Sequence, residues 1–567
     1  MGSAAGARDG TDARDARDGT DARDARDAPD ARDARDARDE RQQAAATGMT
    51  VAVWARRAPD RAAIVSPNGS RTFAELNANA NRLVRALRTR GLRAGDAMAL
   101  VCANRPAFAE ALLAAIRMGV RLTPINWHLT GEEIAYILRD STARAVVGDA
   151  RFADALASAV GAAEDVGIRL AVAGGIEGFE AYEPALAEHA GDDIDDPVLG
   201  RTMLYTSGTT GRPKGVDRQS ATTARGGAAT TPLLAAMYAA GPYDPATDAH
   251  LCTGPLYHAA PLAFSLMIPL NLGVPVVLMD EWDARETLRL VDAHRITHTH
   301  MVPTMFHRLL ALPEEVRARY DVSSLTFVLH GAAPCPLEVK RALIEWLGPV
   351  VCEYYAATEG TATFITSQQW LDKPGSVGRP LDHEQVLVLD EEGERLPPGE
   401  TGTVYLRAPE GLRFRYHGDV AKTAAAYRGE HFTLGDLGYL DEDGYLFLTG
   451  RSSELIISGG VNIYPAEVDD VLLAHPAVGD VGTVGVPDEE WGEQVVSVVE
   501  LRDGHKPSAT LAEELRAHCR ERLAHYKCPR RIVFSDRLPR SYTGKLYRRR
   551  LRDEQIAAFE QEVTAGA

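Results

Sequence analysis

The segment Thr202-Met203-Leu204-Tyr205-Thr206-Ser207-Gly208-Thr209-Thr210-Gly211-Arg212-Pro213-Lys214-Gly215-Val216 carries the densest chemistry in the chain. A short apolar strand runs into a loop of glycines, hydroxyls and one lysine. Backbone N–H groups, O–H donors and a positive charge thereby converge on an anion, for which phosphate is the natural guest. The spacing from Gly211 to Lys214, with Gly215 where a metal-binding hydroxyl would stand, does not fit the G-x-x-x-x-G-K-[ST] loop, and no dinucleotide fingerprint is present. A second cluster, His294, His298 and His300, has metal-ligand residue types without the geometry. It spans a helix end and a strand, where alternate residues face opposite sides, so only His298 and His300 share a face. No carboxylate or cysteine completes a shell. Cys102, Cys252, Cys335, Cys352, Cys519 and Cys528 form no C-x-x-C pair, which reads as reduced, mostly buried thiols in a cytoplasmic protein.

These residues need a frame, and the composition allows a large one: 567 residues, 45% apolar and 25% charged, are ordinary for a globular chain. The formal charge of −18 argues against a nucleic-acid coat protein or a polybasic membrane binder. Residues 8 to 41 repeat Ala-Arg-Asp, with nine arginines against eleven aspartates and Glu40. That period gives no apolar stripe on helix or strand, so residues 1–48 are expected to be a disordered tail. A helix held by Arg-to-Asp pairs is the alternative. The stretch lacks the marks of a signal or transit peptide, and ordinary sequence resumes at Met49. From there short apolar strands alternate with amphipathic helices. Asn68-Gly69 marks a hairpin, Thr72 with Glu75 a capping box, and strands near 97–102 and 120–124 flank a helix after Pro106. This is an α/β pattern of mainly parallel sheets. Residues 254 to 279 carry no charge and are long enough to span a bilayer, but Pro255, Pro261, Pro269 and Pro275 break them into a buried helix and strand. From about residue 376 the pattern turns to β-hairpins, and after Gly450 a small α+β unit begins. The expected organisation is an N-terminal domain at 49–452, which includes a β-rich subdomain, and a small mobile C-terminal domain at 453–567.

Further segments follow in order: His330-Gly331-Ala332-Ala333-Pro334, Glu353-Tyr354-Tyr355-Ala356-Ala357-Thr358-Glu359-Gly360, Thr433-Leu434-Gly435-Asp436, Gly450-Arg451, Ser458-Gly459-Gly460-Val461-Asn462-Ile463-Tyr464-Pro465 and Pro539-Arg540-Ser541-Tyr542-Thr543-Gly544-Lys545. Together with the phosphate loop they resemble the adenylate-forming superfamily of acyl-CoA and aryl-CoA synthetases, amino-acid adenylation domains and beetle luciferases, over roughly residues 50 to 555. The resemblance implies ATP, Mg²⁺ and CoA as reactants and cofactor. Thr206, Ser207, Gly208, Thr209, Thr210, Gly211 and Lys214 would hold the ATP phosphates. Glu359 would ligate Mg²⁺ and Thr358 would bond the α-phosphate. Gly331, Ala332 and Ala333, with Glu353, Tyr354 and Tyr355, would form the adenine site. Asp436 would accept from the ribose hydroxyls, with Arg451 beside it. Lys545 would stabilise charge at the α-phosphate during attack by the substrate carboxylate. Gly459 and Gly460 would meet CoA, and Ser453 would be the hinge of a domain rotation between the two half-reactions. The family usually carries Asp or Lys at that hinge position, so the charge favouring one state is missing here.

The substrate is less legible. Gly254-Pro255-Leu256-Tyr257-His258-Ala259-Ala260-Pro261 has His258 where amino-acid-activating members place Asp, which argues against an amino acid. His258, Phe264, Met305, Phe306, His330 and Phe364 suggest a mainly apolar pocket, with Gly331 and with Ala356 where glycine is common. A fatty, bulky alicyclic or aryl acid fits, and Tyr257-His258-Ala259 looks most like fatty-acyl-CoA synthetases. The expected activity is therefore an ATP-dependent acyl-CoA synthetase in which Lys545, Thr206, Glu359 and His258 act in catalysis. A ligase that loads carrier-protein pantetheine and a retired nucleotide-binding scaffold are the alternatives. A homodimer is left open.

Overall fold

The computed structural model describes residues 31–206, 213–218, 236–237, 239–382, 384–408, 413–458, 461–488, 491–541 and 544–566. Two eight-stranded sheets form the body of the protein. In the first, Val351–Ala356, Phe327–His330, His298–Met301, His250–Cys252, Val276–Leu278 and Ala62–Val65 run parallel, with Thr361–Ile365 and Arg71–Thr72 antiparallel at the edges. In the second, Arg121–Pro124, Ala97–Val101, Ala143–Asp149 and Ile168–Val172 are parallel neighbours. Every residue of Ala97–Val101 is buried, as a strand covered on both faces requires. The covering helices start where the side chains dictate. Thr72 and Glu75 close a reciprocal capping box before Phe73–Thr89, which buries Leu76, Leu83, Val84 and Leu87, and Pro106 opens Pro106–Arg117 at a position that needs no N–H.

The hydroxyl- and glycine-rich segment joins Arg201–Thr206 to Lys214–Arg218, which pair antiparallel with Thr206 opposite Lys214. Phe414–Tyr416 adds to the same edge. A third sheet of antiparallel strands contains Gly402–Arg407, His431–Leu440 and Leu446–Arg451. After a 3₁₀ turn at Ser452–Glu454, a fourth sheet joins Ile456–Ser458, Val478–Asp488, Gly492–Leu501 and Arg531–Phe534.

The uncharged stretch after Gly254 folds as a π-helical turn, Pro261–Met267, then Ile268–Leu272, and the buried strand Val276–Leu278. Among the described residues no helix is long and apolar enough to cross a membrane. Ala31–Thr47 is a helix, where the repeat predicts a disordered tail through residue 48. Its end no longer follows the repeat. Glu40 pairs with Arg56 and Arg57, and Ala44 packs on the main core, so tertiary contacts supply what the period does not.

A buried polar knot ties the helices over the second sheet. Glu110, with its side chain 1% exposed, accepts from Arg71 Nε and Asn79 Nδ2 at 2.8 Å and from the Tyr182 hydroxyl at 2.9 Å. Glu110→Ala should lower unfolding stability by about 1–3 kcal/mol, because it takes the acceptor from the Tyr182 hydroxyl and the Asn79 amide, while the 32% exposed Arg71 side chain can turn to water. Urea unfolding measures this; a loss under about 1 kcal/mol would mean water replaces the carboxylate.

Candidate active site

Register sorts the candidate residues into two groups. His250 pairs with His298, Cys252 with His300, His300 with Leu329, and Leu329 with Cys352. With side chains alternating, His250, His298, His300, Phe327, Leu329, Cys352 and Tyr354 share one face of the first sheet, and Thr299, Val328, His330 and Glu353 take the other.

On the first face an aromatic lining is built from non-local contacts. His300 Nε2 lies 3.0 Å from the Tyr354 hydroxyl, and Phe264 from the π-helical turn stacks on His300 at 5.9 Å. Tyr243 stacks on His298 at 3.9 Å and its hydroxyl is 2.7 Å from His250 Nδ1. His258, on the turn before Pro261, contacts Tyr257 at a ring separation of 4.5 Å. Ala356, Phe264 and Phe364 pack on the same cluster. Burial holds the imidazoles of His258 and His300 neutral, each with its pKa down at about 4. A cavity of about 30 Å³ remains there, between residues that include Met237, Tyr243, His250, Phe264 and His300.

Three residues stand elsewhere than their sequence segments suggest. His330, expected at the substrate, is wholly buried on the opposite face, edge-on to Phe306 and 3.6 Å from Glu353. Glu353, expected at adenine, is buried against Lys340, whose Nζ lies 2.5 Å away and 4.9 Å from the Trp370 ring. Met305 and Phe306 pack in that rear core too. Tyr354, also expected at adenine, belongs to the aromatic lining; a Cβ on Gly331 would come within 2.8 Å of its ring, so the glycine serves that packing. Ala332 follows with φ of 71°, a left-handed conformation unusual for alanine.

The polar group gathers where the first and third sheets meet. Asp436 lies opposite Arg451 in its hairpin, accepts from Arg451 Nε at 2.9 Å, and takes the Tyr355 hydroxyl at 2.5 Å. Glu359, just past the strand end, is buried and accepts from the Tyr416 hydroxyl at 3.0 Å. Lys214 Nζ donates to Asp419 Oδ2 at 2.8 Å. Lys545, from the C-terminal unit, lies within electrostatic reach of this group. Burial pushes its ammonium below the ordinary value and Arg451 adds to this, while Glu454, Asp436 and Glu359 counter it. Its loop is held by Arg540, which pairs with Asp480 and donates to the Gly544 carbonyl at 2.7 Å. Gly544 has φ of 79° and sits so close to Thr304 that a Cβ would overlap it. Tyr416, Asp419, Tyr243 and His250 escape the sequence reading; Asp419 carries one local signal, since it caps the helix Val420–Ala426. Ser207, Gly208, Thr209, Thr210, Gly211, Gly459 and Gly460 lie outside the described residues. Ser453 falls in the 3₁₀ turn between the third and fourth sheets.

A buried acid beside Tyr416, a hairpin acid with its arginine, and a lysine from a C-terminal unit belong to an AMP-forming acid–thiol ligase. The chain is a member of the AMP-binding enzyme family: the family model matches residues 51–414, and the AMP-binding enzyme C-terminal domain matches 467–545. A 2-succinylbenzoate–CoA ligase of Geobacillus kaustophilus is 34% identical over 496 residues, 87% of this chain and 95% of its own length. An indoleacetate–CoA ligase of Aromatoleum aromaticum is 33% identical over 495 residues, covering 86% and 94%. The solved o-succinylbenzoate CoA synthetase of Bacillus subtilis, in complex with its acyl-adenylate intermediate, aligns with a TM-score of 0.73 and 29% identity over 89% of this chain and 98% of that one.

The depressed His300 value has a pH consequence. Between an unfolded value near 6.5 and the folded value of about 4, the unfolded chain takes up a proton that the folded chain refuses. The stability this ring contributes is complete above that window and is lost as pH falls through it. His300→Gln should flatten the acid loss of stability by up to about 1.4 kcal/mol per pH unit within the window. Urea midpoints from pH 7 to 4 test this; parallel curves for the two proteins would refute it.

Proposed function

We propose that the protein activates an aryl or arylalkyl carboxylic acid with ATP, forms its acyl-adenylate with release of pyrophosphate, and passes the acyl group to the thiol of CoA. The seating of the Lys545 loop carries this reading: Gly544 presses on Thr304 of the body, and the lysine comes within electrostatic reach of Arg451, Asp436 and Glu359. The acids named for its relatives, 2-succinylbenzoate and indoleacetate, both contain an aromatic ring. The ring-lined face with its small cavity suits such a group better than the fatty chain suggested by Tyr257-His258-Ala259: a long aliphatic tail would have to displace packed rings.

In this reading Thr206 and Lys214 fix the two ends of the phosphate-holding loop, and Thr358 meets the α-phosphate. Tyr355 flanks adenine beside the backbone of Gly331, Ala332 and Ala333. Asp436 has spare acceptor capacity for the ribose hydroxyls. Lys545 offsets charge on the α-phosphate as a carboxylate oxygen attacks it. His258, neutral, borders the acid. Glu359 offers one hard carboxylate oxygen, which fits Mg²⁺ held chiefly by phosphates and water. When bound, Mg²⁺ would neutralise phosphate charge. We divide the chain at residue 452, with Ser453 as the pivot that exchanges the two half-reactions and residues 459–460 near CoA.

Incubation with ATP, CoA and a panel of aromatic and fatty acids should release AMP and pyrophosphate, fastest with an aromatic acid. ADP, or no nucleotide product with any acid, would overturn the reading, and a fatty acid preferred over every aromatic one would overturn the substrate class. Lys545→Ala should slow adenylation roughly 100- to 1,000-fold while sparing thioester formation from supplied acyl-adenylate. Equal loss in both steps would remove the lysine from its role.

A further inference from the structure

A second lysine stands beside the one that ends the phosphate loop. Asp419 Oδ1 accepts from the Lys422 N–H at 2.9 Å and so starts the helix Val420–Ala426, while Oδ2 holds Lys214 Nζ at 2.8 Å. The Lys422 side chain turns back over Tyr416, with Nζ 4.7 Å from the ring centroid, and that tyrosine's hydroxyl binds Glu359 at 3.0 Å. Burial lowers the Lys422 ammonium from its ordinary value, and the adjacent Lys214 lowers it further, so the two charges are close neighbours. Asp419 answers both. Two neighbouring ammonium groups, with Asp419 and Glu359 as the carboxylates that act on Lys422, place paired cations at the start of the strand Lys214–Arg218, a form of site suited to a polyanion.

We infer that Lys422 contacts the β- and γ-phosphates of ATP, and that Asp419 is a positioning residue that holds Lys214 until those phosphates replace it. This rests on the adenylation reading and adds a residue to it. In that step a carboxylate oxygen of the acid bonds to the α-phosphorus. The bond from that phosphorus to the α,β-bridging oxygen breaks, and its electron pair departs with pyrophosphate. Lys422 and Lys214 neutralise the leaving charge and no proton is transferred. None of the sequence segments that carry the family resemblance includes residue 422.

Calorimetric binding of ATP, inorganic pyrophosphate and AMP to the full chain tests this, because AMP lacks the phosphates in question. Lys422→Gln should weaken ATP and pyrophosphate roughly 10- to 100-fold and leave AMP within about twofold, and Lys422→Arg should restore most of the loss. Asp419→Asn, which keeps the helix cap, should tighten pyrophosphate severalfold by freeing Lys214. Unchanged pyrophosphate binding in Lys422→Gln, or equal weakening of ATP and AMP, would overturn the role of Lys422. Weaker or unchanged pyrophosphate binding in Asp419→Asn would overturn the hold on Lys214. A wild-type chain that binds neither ATP nor AMP would overturn the adenylation reading itself.

Discussion

The carboxylate of Asp436 joins three strands of the chain. It sits in a hairpin of the third sheet, takes the Tyr355 hydroxyl from the first sheet, and takes Arg451 from the strand that leads out to the C-terminal unit. A carboxylate so little exposed would cost several kcal/mol if unpaired, so the two donors are a condition of its burial rather than an ornament of the site. Shared acceptance also sets geometry. Tyr355 cannot swing away, and Arg451 fixes where the chain leaves the N-terminal body.

The strand Val351–Ala356 serves two chemistries with one alternation. Tyr354 turns to the ring-lined face and Tyr355 to the polar group, so adjacent residues feed different halves of the site. Glu353 and His330, on the rear, close a buried arrangement with Lys340 and Trp370 under the same strand ends. That core braces the strand end from which Tyr355 and Glu359 project.

The parts of this arrangement that could be read from sequence are those written in consecutive residues. The hydroxyl- and glycine-rich loop, the Thr72 capping box, the parallel α/β pattern and the hairpin at Asp436 are local, and local rules reach them. Face assignment within a buried strand is not local: His330-Gly331-Ala332 and Glu353-Tyr354-Tyr355 are contiguous, yet one step along the strand reverses the side. His330 and Glu353 accordingly lie in the rear core and Tyr354 in the ring-lined face, positions their contiguous segments do not reveal. Asp419 and Tyr416 lie 205 and 57 residues from the partners they bind, and no spacing rule joins such pairs. The helix that ends the Ala-Arg-Asp repeat likewise pairs Glu40 with Arg56 and Arg57, contacts that composition does not express.

Gly544 is one of the tightest points between the C-terminal unit and the body, pressed on Thr304 with no room for a methyl group. Lys545 is its neighbour. The lysine's position is consequently a matter of how closely two surfaces meet, more than of how far its own side chain stretches. A long flexible side chain ordinarily forgives an ångström of misplacement; here, seated through a residue without a side chain, it inherits the tolerance of a close-packed joint.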